Sequence, residues 1–146
     1  MIVVASKNGS VGIRQAMDVL RAGGSALDAI EAGIHEVEDN PSDHSVGYGG
    51  FPSILGEVET DASIMHGRTL MAGAVGCLKG YRYPISVARK VMEMLPHVFL
   101  VGEGADRFAR EMGMEARYML TRPAEMGWRK MVQSALPEDA IPGQAE

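Results

Sequence analysis

The residues able to do chemistry are few and scattered. His35, His44, His66 and His97 stand nine or more positions apart, so no two share the close spacing of a metal-binding pair. Asp39, Asp43 and His44 could be drawn as a metal corner, but Asn40-Pro41-Ser42-Asp43-His44 is ordinary loop composition. No metal and no other cofactor is expected. Cys77 is the single cysteine, which excludes a disulfide framework, and at the end of an apolar strand it reads as a small core residue. Gly47, Gly49 and Gly50 lack dinucleotide-loop spacing, and Pro52 and a strand follow them instead of a helix, so they do not read as a phosphate cradle. They read as a turn that lets backbone approach backbone. There is no nucleophile elbow of the G-x-S-x-G kind. Residue chemistry alone thus yields no nucleophile with its base, and an enzyme built on this chain would draw part of its active site from residues outside it.

The elements that would position these residues follow from periodicity. Ile2–Ala5 reads as a buried strand. Ile13, Met17 and Leu20 start a helical stripe, which Gly23-Gly24 stops. Ser25 opens a second helix with Asp28 three residues on, and Leu27, Ile30, Ile34 and Val37 line one face until Asn40-Pro41 ends it. A polar, Gly-rich loop runs from Asn40 to Gly56. Glu57–Met65 alternates strictly, with Val58, Thr60, Ala62 and Ile64 on one side. His66-Gly67-Arg68 turns into a second strand, Thr69–Val75, whose Ala and Gly content predicts close packing against it. Pro84–Leu95 is an amphipathic helix with Pro in its first turn. His97–Val101 reads as a buried strand, a helix runs from Ala105 to a Gly113 cap, and a last helix spans Pro123–Leu136. Residues 137–146 have no periodic pattern and are expected to form a mobile tail. Helices, a strand pair, then helices and one more strand point to a layered α+β sandwich.

Composition narrows the function classes. The 146 residues are 46% apolar and 23% charged, with 18 glycines, so a core can form and bulk disorder is excluded. The net charge of −5 argues against a nucleic-acid or anionic-membrane partner. No apolar run reaches the ~18 residues of a membrane span. Met1-Ile2-Val3-Val4-Ala5 has no basic leader, so no secretory signal is expected and a reducing cytoplasm is the expected compartment.

Several collinear blocks resemble one family. They are Gly23-Gly24-Ser25-Ala26-Leu27-Asp28-Ala29, Val37-Glu38-Asp39-Asn40-Pro41 and Ser45-Val46-Gly47-Tyr48-Gly49-Gly50-Phe51-Pro52. Gly56–Met65, Gly73-Ala74-Val75, Pro84-Ile85-Ser86-Val87-Ala88-Arg89 and Pro96–Gly102 continue the series. Together they resemble the glycosylasparaginases, plant-type asparaginases and isoaspartyl peptidases, which are N-terminal-nucleophile hydrolases. The Ser-Val-Gly-Tyr-Gly-Gly form is similar to the glycosylasparaginase branch.

The resemblance implies that residues 1–136 are the α-chain portion of a four-layer αββα sandwich completed by a β chain. It implies an inactive precursor that cuts itself to expose a Thr at the start of β, the nucleophile, whose own α-amine serves as base. The substrate would be a small amide: glycosylasparagine, asparagine or a β-aspartyl peptide. The expected partners are the obligate β chain and, by family analogy, a second αβ unit in a dimer.

By the same resemblance, Ser45 hydrogen-bonds the nucleophile, and Asn40, Gly47, Gly49, Gly50 and Asp61 form the structural loop around it. Lys7 stands where glycosylasparaginases usually carry a substrate-packing Trp, so Lys7 is the substrate-binding candidate, with an ordinary exposed loop lysine as the alternative. The family often ends α in His-Asp; here Ala145-Glu146 stands at the end. Glu146 could act as the processing base, or the scissile bond could lie elsewhere. The rival from another class is a non-catalytic module whose Gly-rich loop holds a small ligand without a partner chain.

Overall fold

The computed structural model describes residues 1–135. Asn8–Gly12 form a 3₁₀ turn that leads into α1 (Ile13–Arg21). Gly23, at φ +87°, ends α1 in the left-handed conformation a side chain resists. Ser25 then starts α2 (Ala26–Glu38) with a complete capping box. Its Oγ accepts the Asp28 N–H at 3.1 Å, and Asp28 Oδ2 accepts the Ser25 N–H at 2.9 Å, an arrangement worth about 1 kcal/mol. The turn before α1 crosses α2 at backbone contact: a Cβ on Gly12 would lie 1.9 Å from the Gly33 carbonyl oxygen.

The sheet has three strands in the order β1 (Glu59–Met65), β2 (Ala72–Lys79), β3 (Phe99–Val101). β1 and β2 are antiparallel and β2 and β3 parallel. Helix α3 (Pro84–Met94) links β2 to β3, and α4 (Glu103–Glu111) follows β3. Thr60 and Ile64 of β1 and Val75 and Leu78 of β2 point toward these helices. There Ile64, Val75 and Leu78 pack with Ile85, Val91 and Phe108 in the main core. Gly73 meets the expectation of close packing, since a Cβ there would strike the Ala88 oxygen at 2.2 Å and the Met92 nitrogen at 2.4 Å. Helix α5 (Arg122–Ala135) buries Trp128, against which Gly56 packs.

The opposite face of the sheet is uncovered among the described residues. Met65, Phe99 and Val101 are exposed on it, beside Asp61 and Ser63. Contrary to the expectation of a buried strand over His97–Val101, Phe99 and Val101 are exposed, because apolarity alone does not say which face of a sheet is covered. Ile2–Ala5 is corrected for the same kind of reason. It pairs with no strand among the described residues, and Ile2 and Val4 are 87% and 88% exposed.

The second strand begins at Ala72, not Thr69, because His66–Met71 close a wider turn in which the Leu70 N–H donates to the His66 oxygen and Leu70 adopts φ +60°. Cys77 is exposed, not core. The register jumps between Thr60 and Ala62, leaving a bulge in which Cys77 takes φ +50° and its N–H donates to Asp61 Oδ1 at 2.8 Å. Asp61 lies within β1, inside the alternating Glu57–Met65 segment. Glu146 and the tail 137–146 lie outside the described residues.

Candidate functional site

The Asn40–Gly56 loop is built around its glycines and its hydrogen bonds. Asn40 Oδ1 accepts the Ser42 N–H at 3.1 Å, an Asx turn at the loop's entry. Asp43 Oδ1 accepts both the Ser45 N–H (3.0 Å) and the Ser45 Oγ–H (2.6 Å), and these bonds hold the Asp43 carboxyl below its ordinary range. Gly47 adopts φ +58° directly against α2, where a Cβ would lie 2.2 Å from the Glu38 oxygen. Gly49 adopts φ +86° against the Pro41 backbone. The Tyr48, Gly49 and Phe51 N–H groups donate to the carbonyls of Glu38, Met119 and His44 at 2.7, 2.9 and 2.9 Å. His44 Nδ1 in turn donates to the Gly49 oxygen at 2.7 Å.

Ser45 stands exposed on the rim of this loop. Asn8 Nδ2 donates to its Oγ at 3.4 Å, so the turn that Lys7 precedes lies against the Ser45 loop. Lys7 is exposed. The structure thus brings together Ser45, Asn40, Gly47, Gly49, Gly50 and the Lys7 segment. Asp61 contributes to the wall of a cavity of about 280 Å³ that also borders Glu38, Ser45, Gly47, Phe51 and Thr60.

Several further residues of this region organise the site in roles that the sequence alone does not assign. Asp39, at the end of α2, accepts from Arg82 (2.8 and 3.1 Å), from the Tyr83 hydroxyl (2.7 Å) and from Arg117 (2.7 Å). Partial burial would raise its pKa, but the Arg82 and Tyr83 bonds and the Arg117 charge outweigh it and hold the carboxyl low. Arg117 also lies over the Tyr48 ring, 3.7 Å from its centroid. Glu38 is 5% exposed and lines the cavity. Burial pushes its carboxyl up to about 8. A sequence signal for it did exist: Glu38 falls four residues after Ile34, on the buried stripe of α2. Among the described residues no three His, Cys, Asp or Glu side chains are grouped to hold a metal ion. No helix there is long and apolar enough to cross a membrane.

A family profile described as Asparaginase matches residues 6–141. The chain belongs to the asparaginase family. It is 46% identical over 121 residues to the N(4)-(β-N-acetylglucosaminyl)-L-asparaginase of Elizabethkingia miricola, covering 83% of this chain and 35% of that protein. It is 49% identical over 113 residues to the plant-type L-asparaginase of Pyrococcus horikoshii, covering 77% and 37%. With the isoaspartyl peptidase/L-asparaginase of Mus musculus it shares 46% over 96 residues, covering 66% and 29%. The chain thus spans about a third of the length of these relatives. In this asparaginase-family chain Asn8 ties the turn after Lys7 to Ser45, and the cavity that Ser45 borders extends to Asp61 and Ser63 of β1.

Proposed function

We propose that this chain is the α portion of an amidohydrolase that cleaves the side-chain amide of asparagine derivatives, with the attacking group on a β chain cut from the same precursor. The observation that carries the reading is its identity of 46–49% with proteins named as asparaginases of both kinds. Supporting it is the sheet face bearing Phe99 and Val101, which wants an apolar cover. A second sheet from β would make the four-layer αββα sandwich.

In this reading a Thr at the start of β attacks the amide carbon, and its α-amine takes the hydroxyl proton. The nitrogen leaves protonated, and water then hydrolyses the aspartyl ester. Ser45 hydrogen-bonds the nucleophile. Gly47, Gly49 and Gly50 let the α backbone approach it. Lys7 faces the substrate, Asn40 and Asp61 hold the surrounding backbone, and Glu146 serves processing. Residues 137–146 are the processing tail, and two αβ units pair in the reducing cytoplasm.

Intact mass of the native protein tests the arrangement. The expected result is two polypeptides, the second beginning with Thr, with hydrolysis of asparagine, a β-aspartyl dipeptide or a glycosylated asparagine. Amide hydrolysis by this polypeptide alone would overturn it.

A further inference from the structure

Glu38 closes α2 and connects three parts of the site. Its carbonyl accepts the Tyr48 N–H at 2.7 Å, and its backbone is what a side chain at Gly47 would strike. Its side chain turns toward α3. There Oε1 accepts the Ile85 N–H at 2.9 Å, in a first turn where Pro84 offers no N–H and Tyr83 supplies no side-chain cap. Oε2 is buried with no partner among the described residues, and Glu38 lines the cavity that Ser45 and Gly47 also line. A buried carboxyl oxygen left unpaired in this way marks strain or function.

We propose that Glu38 is a positioning residue for Ser45, docking the Ser45–Phe51 loop onto the first turn of α3. The catalytic consequence rests on the reading of Ser45 given above; the docking itself does not.

The carboxyl does this as a neutral acid. Desolvation favours its protonated form, the Ile85 N–H opposes this, and the charges of Asp39 and Glu31 add to it. Glu59 and Asp61 of β1 line the same cavity, with His44 as the neighbouring titratable group of the loop. Helix α3 has no acid in its first turn, and its Arg89 is taken by Asp28, Glu31 and Glu93. Ionised, Glu38 would be a buried anion with one donor, repelled by the charges of Asp39 and Glu31. Undocking the loop lets water reach it.

Hydrogen exchange in the intact protein, corrected for intrinsic rates, is the test. In the wild type, protection of the Tyr48, Gly49, Gly50 and Phe51 amides should fall by about tenfold per pH unit between about pH 5 and 8, and level off above 8, where the carboxyl is ionised whether the loop is docked or not. The β2 amides should hold. In Glu38→Gln, neutral and of equal size, the loop should keep its protection throughout. The kcat profile should follow, with an alkaline limb near pH 8 that moves up by more than one unit in Glu38→Gln while KM stays within about twofold.

The same fall in both proteins, or none in the wild type, overturns the proposal. If the variant does not fold, the wild-type exchange curve alone decides. Exchange as expected in a protein without amidase activity would sink the functional reading and leave this one standing. Activity with loop exchange indifferent to Glu38 would do the reverse.

Discussion

The guanidinium of Arg117 lies 3.7 Å from the centre of the Tyr48 ring while its Nη1 donates to Asp39 Oδ1 at 2.7 Å. One side chain therefore ties the Ser45 loop to the end of α2. Arg117 is itself held by backbone: its N–H donates to the Gly80 oxygen, and Ala116 bridges to Tyr81. Arg117→Met keeps the apolar stem and removes stacking, charge and the donor. It should cost about 1–2 kcal/mol by chemical denaturation. Arg117→Lys should recover less than half of that, because an ammonium cannot stack flat on Tyr48 and reach Asp39 in the same plane.

Glu38 makes stability depend on pH in a defined direction. Its carboxyl titrates near 4.5 in the unfolded chain and at about 8 in the folded one, raised mainly by burial. The folded state thus favours the proton. The stabilising contribution is complete below about pH 4.5 and is lost progressively as pH rises to 8. Across that window Glu38→Gln should gain on the wild type by about 1 kcal/mol per pH unit, with no further gain above it. Thermal unfolding from pH 5 to 9 checks this, and parallel curves for the two proteins would contradict it.

Gly47 and Gly67 separate conformational need from mere presence of glycine. Gly47 has φ +58°, and a Cβ there would overlap the Glu38 backbone, whereas Gly67 has open space around it. Gly47→Ala should destabilise by about 3 kcal/mol or more. Gly67→Ala should stay within about 0.5 kcal/mol. Denaturation midpoints for the pair decide the matter.

Local signals carried well from sequence to structure. The Ser25–Asp28 box, the alternation of Thr60, Ala62 and Ile64, and the Gly23 stop depend on neighbours a few residues away, so they could be read directly. What failed depended on distant partners. Phe99 and Val101 look like core residues because apolarity does not say which side is covered. Cys77 was misplaced because one extra residue opposite Asp61 reverses the faces, and periodicity does not show a bulge. Asp39, Arg82 and Arg117 lie 43 and 78 positions apart in their pairings, beyond any local pattern. The Ser45 loop was found by resemblance; its docking on Glu38 was not.

Asn8 Nδ2 donates to Ser45 Oγ, and the exposed Lys7 is its chain neighbour. Ser45→Ala removes a hydroxyl exposed on the loop rim without touching the core. On the proposed role of Ser45 beside a β-chain nucleophile, it should lower kcat by about 10- to 100-fold, with a smaller change in KM. Lys7→Trp replaces a flexible cation by a flat apolar surface, which stacks on a sugar ring and cannot pair with a carboxylate. The ratio of kcat/KM for glycosylated asparagine over a β-aspartyl dipeptide should therefore rise by about tenfold, equivalent to ~1.4 kcal/mol. An unchanged ratio in Lys7→Trp would remove position 7 from the substrate's surroundings and leave Ser45 to be judged by its own kcat.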